Sequence, residues 1–163
     1  MSYPPVAYRG DAGEVSGRFR PAGSAREIDN ANGSGAAYLA TGASTNGKFG
    51  LYRWDMAAGP AGPDAHFHRT ISESFFVLDG SIRLYDGVSW VDAAAGDFLY
   101  VPEGGIHAFK NESGSPASML ILFAPGAPRE DYFETLADAA RREAMNTDAD
   151  WAAFYDRHDT YWV

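Results

Sequence analysis

The chain has no cysteine, only four histidines and few cationic residues. Without cysteine there is no disulfide framework, thiolate zinc site, iron–sulfur cluster or cysteine nucleophile, so metal ligands must be imidazole, carboxylate or water. The 13 Lys and Arg are outnumbered by 22 Asp and Glu, giving a formal net charge of −9. Such a chain lacks the basic face that nucleic acid or an anionic membrane surface requires. Long apolar runs are missing too: none reaches the length needed to span a bilayer. The stretch Met1 to Arg9 has neither the basic leader nor the apolar segment of a secretory signal. The expectation is a cytoplasmic protein that binds a small molecule, and neither nucleic acid nor membrane.

What is present fits one domain. A chain of 163 residues buries a core without structural metal or staples, so a bound metal would serve function rather than folding. Residues 1–36 are rich in Gly, Ala, Ser, Pro and charge and read as an arm, with Val15 to Phe19 alternating well enough for an edge strand if something pairs with it. From Ala37 to Pro125, short aromatic and branched runs alternate with Gly, Pro, Asp and Asn clusters, the pattern of strands and turns. Expected strands are Ala37–Ala40, Phe49–Met56, Ala65–Arg69, Glu73–Asp79, Ser81–Tyr85, Phe98–Val101, His107–Asn111 and Ser118–Ala124. The pairs Asp79-Gly80 and Asp86-Gly87 suit tight hairpin turns. Many strands without intervening helices favour an all-β fold, a closed antiparallel barrel or double-sheet roll. Residues 126–163 turn helical: Tyr132, Phe133, Leu136 and Ala140 recur at spacings of three and four, and Asp148–Asp156 puts Trp151, Phe154 and Tyr155 on one face. This tail is expected to dock on the barrel or on a partner subunit.

Three of the four histidines form a pattern. His66 and His68, two apart in an extended stretch, project to the same side of a strand, at a separation suited to one ion. Glu73 follows after four residues, a gap that lets the chain turn and return a carboxylate. His107 comes after Pro102, Glu103, Gly104 and Gly105, a turn able to aim it inward. Three imidazoles and a carboxylate make a mixed N/O set suited to one divalent transition metal ion (Fe, Ni, Mn, Co, Cu or Zn), with positions left for water or substrate. Asp64, Arg69 and Glu103 lie nearby in sequence as candidate supporting groups, although exposed loop charges are the commoner case. His158, in the charged tail, is expected to be solvated. Period-two projection from Glu73 sends Phe75 and Val77 inward and Phe76 and Leu78 outward, and His107 carries Phe109 inward. Phe75 and Phe109, joined by Tyr52, Trp54, Met56 or Tyr100, would make an apolar chamber around the ion.

The spacing resembles the two motifs of the cupin superfamily. The first runs His66, one residue, His68, four residues, Glu73, six residues, Gly80; the second runs Gly96, five residues, Pro102, one residue, Gly104, two residues, His107, three residues, Asn111. The glycines, Pro102 and Asn111 read as shaping residues. One departure exists: the family's leading glycine falls on Pro60, flanked by Gly59 and Gly62, a shifted turn. The resemblance covers roughly Phe49 to Ala124 and is to small, single-domain bacterial members. It implies a single jelly-roll barrel of six to eight strands, usually a homodimer, with the metal inside. It further implies a quercetinase-like dioxygenase acting on a small apolar or aromatic compound, polyphenol- or dicarbonyl-like, with Glu73 as fourth ligand or as the base that takes the substrate's hydroxyl proton. Two other readings use the same residues: an isomerase or polyketide-cyclase-like enzyme with zinc as Lewis acid, and a small-molecule-binding protein without turnover.

Overall fold

The computed structural model describes residues 2–163, with Ala140 described by its backbone alone, so the expected place of its side chain on the first helical face lies outside what is described. The strands are β1 (Ile28–Asp29), β2 (Gly35–Ala40), β3 (Gly50–Met56), β4 (His66–Phe67), β5 (Ser72–Asp79), β6 (Ser81–Tyr85), β7 (Trp90–Ala94), β8 (Phe98–Val101), β9 (Ala108–Lys110), β10 (Ala117–Ala124) and β11 (Tyr161–Trp162). Three helices, α1 (Glu130–Ala137), α2 (Ala139–Glu143) and α3 (Asp148–Arg157), sit between β10 and β11.

Six strands form one antiparallel sheet in the order β1-β2-β3-β10-β5-β8. A second face is β7-β6-β9, continued through the His66–His107 bridge to β4 and its partner β11. The period-two alternation decides which side chains lie between the faces. On β5, Phe75 and Val77 are buried while Phe76 is exposed. Register then builds rows across the large sheet: Ile121 pairs with Tyr52 and Phe75, Met119 with Trp54 and Val77, and Phe123 with Glu73. Each row is apolar except at Glu73, so the carboxylate projects into an apolar interior.

Several expectations are corrected. Val15 to Phe19 forms no strand, with both named side chains exposed, since no neighbouring backbone completes its ladder. The sheet instead begins at β1, inside the segment read as arm. Asp79-Gly80 is not a hairpin: β5 and β6 lie in different sheets, and the turn carries the chain around the barrel corner. There a Cβ on Gly80 would come within 2.7 Å of the Pro116 carbonyl oxygen, so glycine is required by approach as well as by its φ of +72°. Asp86-Gly87 does turn the β6–β7 hairpin, and the Asp86 carboxylate accepts N–H bonds from Val88 and Ser89. Strand β7 escaped the sequence because its Asp and Ala residues lack both strand propensity and an apolar rhythm. Among the described residues no helix is long and apolar enough to cross a membrane.

The tail packs on the barrel. Phe133 of α1 sits against Tyr52, Trp54 and Phe123, at ring separations of 5.4, 5.0 and 6.1 Å. Helix α3 starts at a capping box, in which the Thr147 hydroxyl accepts from the Asp150 N–H and the Asp150 carboxylate accepts from the Thr147 N–H. Its Phe154 is buried and stacks on Tyr132 at 5.4 Å. His158, expected in solvent, is half-buried against Phe154, with ring centroids 4.8 Å apart. A helix end that must return the chain to β11 leaves it no route outward. Because Phe154 joins α3 to α1, Phe154→Ala should destabilise the protein by about 3–5 kcal/mol. An unchanged denaturant midpoint would show that the tail is only loosely attached.

Candidate metal centre

The two faces meet at the four residues of the motifs. Glu73 comes from β5 of the large sheet; His66 from β4; His107 from its bridge partner beside β9; and His68 from the loop after β4. All four are buried, between 1% and 5% exposed. Their ligand atoms lie within 4.8 Å of one another, making a cluster suited to hold one metal ion.

Backbone carbonyls set the orientation of each imidazole. The Nδ1–H groups donate to the carbonyl oxygens of Asp64 (His66, 2.8 Å), Gly105 (His107, 2.9 Å) and Asp159 (His68). With Nδ1 occupied in all three rings, the Nε2 atoms are left to converge, the orientation a metal ligand needs. Glu73 Oε2 lies 2.8 Å from His107 Nε2 and 3.0 Å from His68 Nε2. Burial alone would raise the Glu73 pKa, but the bonds from His107 and His68 outweigh it and hold the carboxyl well below its usual range. For His107 burial pulls downward, yet the hydrogen bond and charge of Glu73 win and raise it. Burial, only partly offset by Glu73, pushes His66 down to about 4, so this ring is neutral near pH 7 with a free Nε2 lone pair. Three oriented imidazoles around an ionised carboxylate match the donor set of a divalent transition ion.

Beside the cluster opens a cavity of about 390 Å³. Of the aromatic residues expected to wall it, Trp54 and Phe109 do, as does Met56. Tyr52 and Phe75 instead pack in the core, Tyr52 donating its hydroxyl to Glu130 at 2.6 Å and Phe75 lying 5.8 Å from the His107 ring. Tyr100 is 56% exposed on the outer face, because β8 alternates from buried Val101. Gly62, two residues after Pro60, passes so near Phe109 that a Cβ would sit 1.9 Å from its carbonyl oxygen, so glycine is required there. Asp64 contributes its carbonyl rather than its carboxylate, and Arg69 stacks on Tyr161 at 4.0 Å. Glu103 is exposed.

Sequence reasoning missed the tail's share. Phe133, Leu136, Tyr155 and Trp162 form one cavity wall, and Arg129 lines it as well. Asp159 does double duty: its carbonyl orients His68, and its carboxylate accepts the N–H groups of Arg69 and Thr70 and the Thr70 hydroxyl, at 2.9, 2.8 and 2.7 Å. No local spacing could have flagged it, since its partners lie about 90 residues earlier. Partial burial would raise the Asp159 pKa, but the Thr70 and Arg69 bonds prevail and lower it below the ordinary 3.8. A depressed carboxylate stabilises the fold fully above its unfolded value and loses that contribution as pH falls through the folded one. Asp159→Asn should therefore cost about 1–2 kcal/mol near pH 7. In thermal melts the gap to wild type should close below about pH 4; a gap independent of pH would refute the ionised role.

Comparison with known proteins agrees with this geometry. The cupin domain family matches residues 52–123, the segment that supplies all four clustered residues. Quercetin 2,3-dioxygenase of Bacillus subtilis (strain 168) is 30% identical over 73 residues, 45% of this chain and 21% of that protein. The chain thus spans about a fifth of the length of that curated relative. Among solved structures, KdgF from Halomonas sp. superposes with a TM-score of 0.52 at 15% identity, over 60% of this chain and 83% of the other. A predicted oxalate decarboxylase from Thermotoga maritima gives 0.53 at 20% identity, over 56% and 80%. At such identities the structural likeness speaks for the fold alone. Residues 52–123 of this chain thus match a cupin domain, set in a double-sheet β-barrel that carries the histidine and glutamate spacings of both motifs, the first without its leading glycine.

Proposed function

We propose that the protein is a metal-dependent cupin enzyme, a dioxygenase acting on a small, largely apolar or aromatic substrate, with one divalent transition ion held by His66, His68, Glu73 and His107. The observation that carries this reading is the convergence of three oriented Nε2 atoms and an ionised carboxylate beside an aromatic-walled cavity. Support also comes from the quercetin 2,3-dioxygenase relative, which shares the motif-bearing segment only. When bound, a redox-capable ion supplies the means to bring dioxygen and a substrate oxygen together. The chain's residues do the rest. Trp54, Phe109 and the tail aromatics exclude water from the cavity and hold a flat substrate body. Glu73, kept ionised by its two histidine bonds, suits the ligand role in the unliganded protein better than that of a base, because its proton affinity there is low.

Two measurements test this. His66→Ala should abolish stoichiometric metal while leaving the circular dichroism and melting profile close to wild type, because His66 makes no hydrogen bond to Glu73 and its removal strands no charge. Full metal retention would refute the ligand assignment. Reconstitution with iron, nickel, manganese or copper should give oxygen uptake with a panel of polyphenols and 1,3-dicarbonyl compounds. Absence of uptake with every metal, together with zinc in the native protein, would replace the oxygenase by a Lewis-acid enzyme.

A further inference from the structure

Arg129 is the group that the metal site leaves unexplained. It stands immediately before α1, is 4% exposed, and lines the cavity shared with His66 and Glu73. A guanidinium stays charged under all ordinary conditions, and such a charge inside a protein is normally paired with a carboxylate. Here it is not: among the described residues no acidic side chain lies within ion-pair distance of Arg129. Its hydrogen bonds run from Nη1, to the His158 carbonyl at 2.6 Å and the Thr160 hydroxyl at 3.4 Å. Nε, fully buried, has no partner. Aromatic faces take up part of the load, with the guanidinium carbon 4.1 Å from the Tyr132 ring centroid and 5.1 Å from that of Phe123. Ring faces attract the charge but leave the in-plane donors unsatisfied.

A buried cation without a carboxylate partner, at the wall of a cavity that Trp54, Phe109, Phe133 and Trp162 also line, has a defined complement. We infer that the cavity takes an organic anion with a flat apolar body and a carboxylate, the carboxylate seated on the guanidinium of Arg129 and the body against the aromatic wall. The planar fork of a guanidinium matches a carboxylate in shape and charge, and a dry site strengthens the pairing. This narrows the substrate class of the reading proposed above and rests on it for chemistry, although not for binding, which Arg129 governs without any ion.

The test is calorimetric titration with benzoate and with its neutral analogue benzyl alcohol, on full-length protein both zinc-loaded and stripped with EDTA. Wild type should bind benzoate at least tenfold more tightly than benzyl alcohol in both forms. Arg129→Met should bring the two within about twofold while leaving benzyl alcohol binding and zinc content unchanged. Arg129→Lys, which keeps the charge without the fork and guards against a Met variant that does not fold, should retain an intermediate preference. Equal binding of the two compounds by wild type overturns the inference. So does a preference that appears only with zinc and survives in Arg129→Met, since the carboxylate would then sit on the ion. A preference that depends on Arg129 in a protein found to hold no metal upholds the inference and sinks the metal-centre reading alone.

Discussion

The shared hydrogen bonding of the Glu73 carboxylate by two imidazole Nε2 atoms is the constraint around which this molecule is arranged. A carboxylate buried between two sheets is tolerated only if compensated, and the compensation has to come from the opposite face. Glu73 stands on the large sheet, in a row with Phe123 and Val101. His66 and His107 face it from the smaller one, locked to each other by reciprocal backbone bonds of 3.0 and 2.9 Å. The same contact therefore pins the two sheets and assembles a donor cluster fit for a metal ion. Each imidazole is in turn fixed through Nδ1 by a carbonyl, so the cluster is organised before anything binds.

The C-terminal tail does more than cover the barrel. By pairing β11 with β4 it backs the strand that carries His66, and Trp162 lies 5.3 Å from the His66 ring. Through Asp159 it orients His68 and holds the loop from Arg69 to Thr70. Through Phe133, Leu136 and Trp162 it walls the cavity, and Arg129, where the tail helices begin, brings the buried cation. Barrel and tail thus divide the labour: the barrel supplies donors for an ion, and the tail supplies the surroundings that select what may lie beside it.

Much of the barrel and of the donor cluster was legible in the sequence because both rest on short-range rules. Alternation with period two assigns Phe75, Val77 and Glu73 to one face whatever the strands pair with, and the spacings around His66, His68 and His107 act over a few residues. Strand β7 was missed for its weak local pattern, whereas β11, Tyr52, Phe75, Asp159 and Arg129 owe their roles to partners far away along the chain. Tyr52 and Phe75 show the limit well: the inward projection of Phe75 held and Tyr52 also points inward, but whether an inward side chain meets cavity or core depends on what packs over it, and there Phe133 covers Tyr52.

By itself, then, the sequence determined the all-β barrel, the absence of thiol chemistry and a set of four nitrogen and oxygen donors, all consequences of residue identity and of spacings shorter than a strand. Only the tertiary structure decided that the tail forms one wall of the cavity, that a carbonyl of residue 159 orients a histidine at 68, and that Arg129 is buried beside the donors without a carboxylate partner. Those are facts of long-range packing, and no local periodicity encodes which distant surface a helix will meet.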